Sequence, residues 1–236
     1  MKLPKIHFRN VIFLLAVVFL ICMGLIWKFN FLAFQKPAEN SSPQFLTYVD
    51  RGFKDEDRAA LEQKISDLEN QLAADQELAK DISQWLILGN LKYQLGNLAE
   101  AVEIYQTKIL ANYPADGAAL ENLAQAEFEM GNYAAAELHW RAAVSVNPWE
   151  VTYIKLVDLI QNKFPERQAE IQGILEEAIA NIGQTAGLVK RLGMWYEANE
   201  NYERALSHYE VAKQLAPDDE TINDLIAQVK QKMANK

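Results

Sequence analysis

Apolar residues recur at spacings of three and four over most of the chain after residue 55, and short turn signals break the pattern at regular intervals. Trp85, Leu88, Leu91 and Leu95 form one stripe, which predicts an amphipathic helix with a buried face. Gly96 and Asn97 end it, as Gly131 and Asn132 end a second, because glycine suits the left-handed position just past a helix. Another helix restarts at once in each case. One carries Ala101, Tyr105 and Ile109 on a single face, the other Ala136, Trp140 and Val144. Small residues at Gly89, Ala124 and Gly193, and at Ala101, Ala136 and Ala205, let two such helices approach closely while aromatic rings fill the space beside them. Core packing is therefore the expected role of those rings.

The hairpins repeat. Slid by 35 residues, Trp85, Leu88, Gly89, Gly96, Ala101 and Tyr105 fall on Leu120, Leu123, Ala124, Gly131, Ala136 and Trp140; slid by 69 from the second copy, the pattern returns in Leu192, Gly193, Tyr196, Ala205, Tyr209 and Pro217. That gap is twice the period, so it holds one further, degenerate copy. In it Ile154, Leu156, Leu159 and Ile160, then Ile171, Ile174, Leu175 and Ile179, keep helical spacing, but Phe164 and Pro165 replace the Gly-Asn turn. Pro165 is expected to start the second helix, with Phe164 stapling it. Asp218 and Asp219 precede a last helix over 220–236, whose Lys230, Gln231, Lys232 and Lys236 suit a polar cap.

A period of 34 residues with large residues at the start, Gly or Ala at close-packing positions and Pro at the end resembles the tetratricopeptide repeat (TPR) family. The resemblance implies an all-α fold, a right-handed superhelical solenoid of four repeats over 82–219. It names no ligand, because such scaffolds serve many unrelated partners.

Val11 to Trp27 is an uncharged run of 17 residues, followed by the aromatic-rich Phe29 to Phe34. At about 1.5 Å per residue it is near the lower limit for spanning a bilayer, and the flanking rings extend it into the interface. A single transmembrane anchor over 10–34 is expected. A cleaved signal peptide would share the basic flank of Lys2, Lys5 and Arg9, but the apolar region is long and no small-x-small site follows. Bulky Ile21 before Cys22 argues against lipidation. The basic flank over 1–9 places the N-terminus in the cytoplasm and the repeats outside it. Beyond residue 30 the chain carries 19 basic against 32 acidic residues, net −13, which disfavours nucleic acid and anionic lipid as partners of the array. Cys22 is the only cysteine, so the array has neither disulfide nor thiolate site.

Residues 35–54, with Pro37, Pro43 and Gly52, show no sustained period and read as a tether. Over 55–81 the chain is helical, with a stripe of Leu61, Ile65, Leu68 and Leu72. Within 55–79 that stripe either pairs two copies in a coiled coil, giving a homodimer, or packs on the first helix of the array.

Candidate chemistry is sparse. His7 lies in the basic flank; His139 and His208 stand at equivalent places two repeats apart, roughly 20 Å, too far for one metal or one catalytic pair. Glu100 with Glu103 and Glu176 with Glu177 read as exposed helix-face carboxylates. No phosphate-binding glycine loop, nucleophile elbow or metal-ligand spacing occurs, so no catalytic, cofactor or metal site is expected.

In the TPR family the concave surface is lined mainly by the first helix of each pair, at positions turned away from the second. Carried onto this chain, the resemblance implies Leu86, Asn90, Tyr93 and Gln94 in the first repeat, Glu121, Asn122, Gln125, Phe128 and Glu129 in the second, and Lys190, Met194 and Glu197 in the fourth. Amides at Asn90 and Gln125 suit an extended peptide backbone, and Tyr93 and Phe128 offer apolar contact; the competing role of both rings is to close the interface between repeats. Some relatives clamp a C-terminal carboxylate with Lys and Arg, but Leu86, Thr152 and Leu156 stand at those places and imply no clamp. The expectation is a membrane-tethered, non-catalytic scaffold that binds a protein or peptide outside the cytoplasm. Leu68 to Ala73, Trp85 to Gly89 and Glu100 to Val102 further resemble the TPR subunits of c-type cytochrome maturation, which implies, as an alternative, an assembly factor presenting apocytochrome to a haem lyase.

Overall fold

The computed structural model describes residues 44–235. The basic flank, the apolar run and its expected anchor over 10–34 lie outside them; among the described residues no helix is long and apolar enough to cross a membrane. The described residues form ten α-helices and no strand: α1 (Asp55–Ala74), α2 (Ile82–Leu95), α3 (Leu98–Ile104, continued by a π-helical stretch Tyr105–Leu110), α4 (Gly117–Met130), α5 (Tyr133–Val146), α6 (Glu150–Lys163), α7 (Glu170–Ile182), α8 (Ala186–Ala198), α9 (Tyr202–Leu215) and α10 (Glu220–Ala234). Consecutive helices pack as the pairs α2/α3, α4/α5, α6/α7 and α8/α9, each pair stacking on the next.

Local chemistry sets the helix starts. Asp81, Asp116, Thr185, Asn201 and Asp219 cap α2, α4, α8, α9 and α10 by accepting from backbone N–H groups two or three residues on, which satisfies donors the helix leaves orphaned. Gly96 and Gly131 take left-handed φ of 96° and 86° at the turns. In the fourth pair Glu200 occupies the equivalent place with φ 57°, a conformation that a side chain makes costly.

Within the pairs, rings lie on residues without bulk. A Cβ added to Gly89 would meet the Tyr105 ring at 2.5 Å, and one on Gly193 the Tyr209 ring at 2.6 Å. Both tyrosines are fully buried, as is Trp140 in the core beside Ala124. The buried side chains of α4 to α10 form one continuous core, those of α2, α3 and α4 a second around Tyr105 and Leu123, and those of α1 and α2 a third.

α1 provides that third cluster. Leu61, Ile65 and Leu72 are buried against Leu88 and Leu95, with Leu68, Trp85 and Leu91 alongside. The stripe that would join two copies in a coiled coil is covered by α2 of the same chain, so a homodimer through 55–79 would have to uncover it. Residues 45–49, in the stretch read from sequence as tether, have no regular structure, bend at Thr47 and are hydrogen-bonded to the array. Leu46 N–H donates to Met130 O at 3.0 Å, Val49 N–H to Gly96 O at 2.9 Å, and Ala99 N–H to Thr47 O at 3.1 Å.

The third pair departs from expectation at Pro165. Pro165 opens a 3₁₀ turn, Pro165–Arg167, and α7 starts only at Glu170. The reason lies in Arg167, whose guanidinium makes two 2.7 Å bonds to the Glu137 carboxylate of α5 and another of 2.8 Å to Glu170. These bonds tie the turn to α5 and to the start of α7. Arg141 adds a 2.8 Å bond to Glu137. Arg167 first, then Arg141, hold the Glu137 carboxyl below the usual carboxylate range against the opposing effect of burial.

Two outcomes follow from these contacts. Gly131→Ala should cost about 1 kcal/mol of backbone strain, whereas in Gly96→Ala the new Cβ would also fall 1.9 Å from Val49 O and push the 45–49 segment off. Amide exchange at Leu46 and Val49 should rise in Gly96→Ala and stay as in the wild type in Gly131→Ala. Glu137 has a folded-state pKa below its unfolded value, so its contribution is complete above about pH 4.5 and is lost as the pH falls through the folded value. Glu137→Gln should therefore destabilise by about 2 kcal/mol at pH 7, and thermal melts should show the gap to wild type closing below pH 4.5.

Candidate functional site

The first helices of successive pairs are joined side by side through polar side chains, and most of the expected groove residues belong to this ladder. Asn90 of α2 accepts from the Tyr105 hydroxyl at 2.7 Å and from Asn122 Nδ2 of α4 at 2.8 Å. The Tyr93 hydroxyl donates to the Glu129 carboxylate of α4, and Gln125 Nε2 approaches the same oxygen at 3.4 Å. Lys155 of α6 reaches back to Glu121 at 3.2 Å. Arg191 of α8 pairs with Asp158 of α6 at 2.7 Å, and Lys190 with Asp219, the cap of α10, at 2.8 Å. Each rung joins residues 29 to 36 apart, about one repeat, so stacking alone brings them together.

Of the amides expected to meet a peptide backbone, Asn90 thus joins α2 to α4 through Asn122, while Gln125 approaches Glu129 of its own helix. Leu86 packs in the core between the first two pairs. Phe128 lies 5.5 Å from Tyr133 and 5.6 Å from Trp140, centroid to centroid, and half-buried it closes the α4/α5 pair. Gln94 is exposed. Glu197 accepts from the Tyr209 hydroxyl at 2.6 Å and from Lys232 of α10 at 2.9 Å. Burial, then the Glu129 carboxylate, push the Tyr93 hydroxyl up to about 12, so it remains a donor at neutral pH. His139 contacts Glu127 at 2.6 Å and His208 stacks on Tyr196 at 5.2 Å. Among the described residues no group of three or more His, Cys, Asp or Glu is placed to hold a metal.

Two places on this face combine ladder residues with other side chains. One is a cleft of about 430 Å³ between α6, α8 and α10, lined by the apolar Val157, Met194, Trp195 and Leu225 and by the polar Gln161, Arg191, Glu197 and Lys232. Met194 is 39% exposed there, and Trp195 is oriented by donating to Gln168 O at 3.1 Å. The other is the end of α2 and α4, where Arg51 enters from the segment preceding α1. Its guanidinium lies 2.7 Å from Glu129 Oε2, 3.2 Å from Tyr93 O and 4.9 Å from the centre of the Tyr93 ring. Sequence reading missed Arg51, Lys155, Asp158 and Arg191. The signal for Arg51 was the run Phe45-Leu46-Thr47-Tyr48-Val49, whose composition is that of a strand, although among the described residues no sheet receives it.

Residues 86–148 match the tetratricopeptide repeat family model. No curated protein matches the chain by sequence. Among solved structures it is similar to MamA, with a TM-score of 0.54 and 18% identity over 80% of this chain and 99% of MamA. It is also similar to YrrB, a TPR protein with an unusual peptide-binding site, at 0.53 and 13% over 72% and 84%. A chain of the APC/C hetero-tetramer Cut9–Hcn1 gives 0.51 and 18% over 74% of this chain and 34% of its own. Identities this low speak to fold alone, and they agree with the helix pairing: residues 86–148 are a tetratricopeptide repeat segment, set in an all-helical solenoid of the TPR type.

Proposed function

We propose that this chain is a membrane-tethered, non-catalytic scaffold whose array binds a protein or peptide partner outside the cytoplasm. The observation that carries the reading is the cleft between α6, α8 and α10. It is a concavity whose lining combines apolar side chains with polar ones able to orient a ligand, and it lies on the face that the first helices share. YrrB's peptide-binding site, on the same fold, supports a peptide or protein ligand. The uncharged run Val11 to Trp27 behind a basic flank supports tethering with the repeats outside, and the acidic balance of the rest supports a partner that is neither nucleic acid nor anionic lipid. The cytochrome-maturation alternative draws on the short stretches named above, most of them repeat consensus.

A photo-cross-linker placed at Met194 in the membrane-bound protein should capture one discrete partner, while the same group at Ser207 on α9 should not; equal capture from both positions would overturn the cleft. Met194→Glu should weaken binding of the captured partner at least tenfold. A reporter fused after Lys236 that works only outside the cytoplasm should be active, and activity of a cytoplasm-only reporter would reverse the topology. Peptides ending in a haem-attachment motif should bind at the cleft only if the cytochrome alternative holds.

A further inference from the structure

Phe45 to Gly52 is seated on the array as a ligand would be. Two of its N–H groups donate to carbonyls at the ends of α2 and α4, and one of its carbonyls accepts from the start of α3, so its backbone is read at three points. The first turn of each pair ends with such carbonyls because a helix leaves its last C=O groups unpaired. Side-chain burial is partial: Leu46 is 56% and Tyr48 42% exposed, while Phe45, Val49 and Arg51 are half-buried. One side chain is read specifically, that of Arg51, whose guanidinium meets the Glu129 carboxylate and the face of Tyr93 together. Carboxylate and ring are the two groups that best receive a guanidinium. Tyr93 and Gln125 in turn hold the carboxylate, which fixes the receptor.

We infer that the ends of α2 and α4, with Glu129 and Tyr93, form a receptor for a non-helical segment carrying a basic side chain, and that Phe45 to Gly52 is its resident occupant. A partner with an exposed non-helical stretch and an Arg at the matching place takes the position by displacing the chain's own segment. Displacement is feasible because the segment is held by backbone bonds and two partly exposed ion pairs, Arg51–Glu129 and Asp50–Arg58, not by a fully buried core, which is the profile of an element that opens locally. The net charge of −13 beyond residue 30 draws a basic segment towards the array. Arg58 of α1, bonded to the Tyr48 hydroxyl at 2.8 Å and to Asp50 at 3.1 Å, keeps the resident segment close enough to return when the partner leaves.

This assignment rests on the reading of the array as a peptide binder, but its site is separate from the cleft at Met194, so either can fail alone. The test uses a labelled synthetic peptide with the sequence of Phe45 to Phe53. It is titrated against the full chain in detergent and against the full-chain variant Leu46→Pro/Val49→Pro/Arg51→Ala, which lacks both backbone donors and the guanidinium. The peptide should bind the variant at least tenfold more tightly than the wild type. Adding Glu129→Gln to the variant, or replacing Arg by Ala in the peptide, should abolish at least tenfold of that affinity. Equal binding to both proteins, no binding to the variant, or indifference to Glu129→Gln would overturn the inference. Hydrogen exchange on the wild type provides a measurement independent of the variant: excess peptide should speed exchange at the Leu46 and Val49 amides. Unchanged exchange at saturating peptide would count against displacement.

Discussion

The whole array depends on the close approach of the two helices in each pair, made in the first and fourth by laying a ring of the second helix on a glycine of the first. Tyr105 lies on Gly89 and Tyr209 on Gly193 so tightly that no Cβ fits between. Helices of 13 to 15 residues, as most of these are, are marginal alone in water; they persist because packing buries one face of each. A single pair leaves its outer faces uncovered, so pairs must stack and the stack must be closed at both ends. α1 closes the first pair with Leu61, Ile65 and Leu72, and α10 closes the last with Ile222 and Val229.

Close stacking brings the first helices side by side, and the resulting contacts decide which polar residues remain for a partner. Asn90 with Asn122, Glu121 with Lys155, Asp158 with Arg191 and Lys190 with Asp219 make a run of rungs along one face. Partly exposed pairs like these contribute modestly one by one, and their larger effect is to set register between repeats. The ligand-accessible part of the face is correspondingly narrower than a list of outward positions would suggest. It comes down to the Met194 cleft at one end and the Arg51 position at the other.

Charge and strain are distributed to match. The third pair lacks the Gly-Asn turn, and its connection is held instead by the Arg167, Glu137 and Glu170 cluster. The fourth pair keeps the turn with Glu200 in a left-handed conformation. Departures from the repeat consensus are thus compensated by local chemistry, and the core runs unbroken from α4 to α10.

The sequence by itself determined the helix pairs, their turns and the buried rings, because these rest on contacts near in the chain: a stripe at spacings of three and four, a Gly-Asn stop, a small residue one hairpin away from a ring. It also determined the length of the period, and so which residues would be equivalent. Only the tertiary structure decided what those equivalent residues touch. Asn90 and Gln125 could face a ligand or a neighbouring helix, and nothing within one repeat distinguishes the two; the side-by-side placement of α2 and α4 brings Asn90 to Asn122, while Gln125 approaches Glu129 of its own helix. The stripe of α1 could meet a second copy or α2, and burial against Leu88 and Leu95 chose the latter. Phe45 to Gly52 gave no helical signal and so read as a tether, because its partners are carbonyls of turns about 50 and 80 residues away, which no local pattern announces.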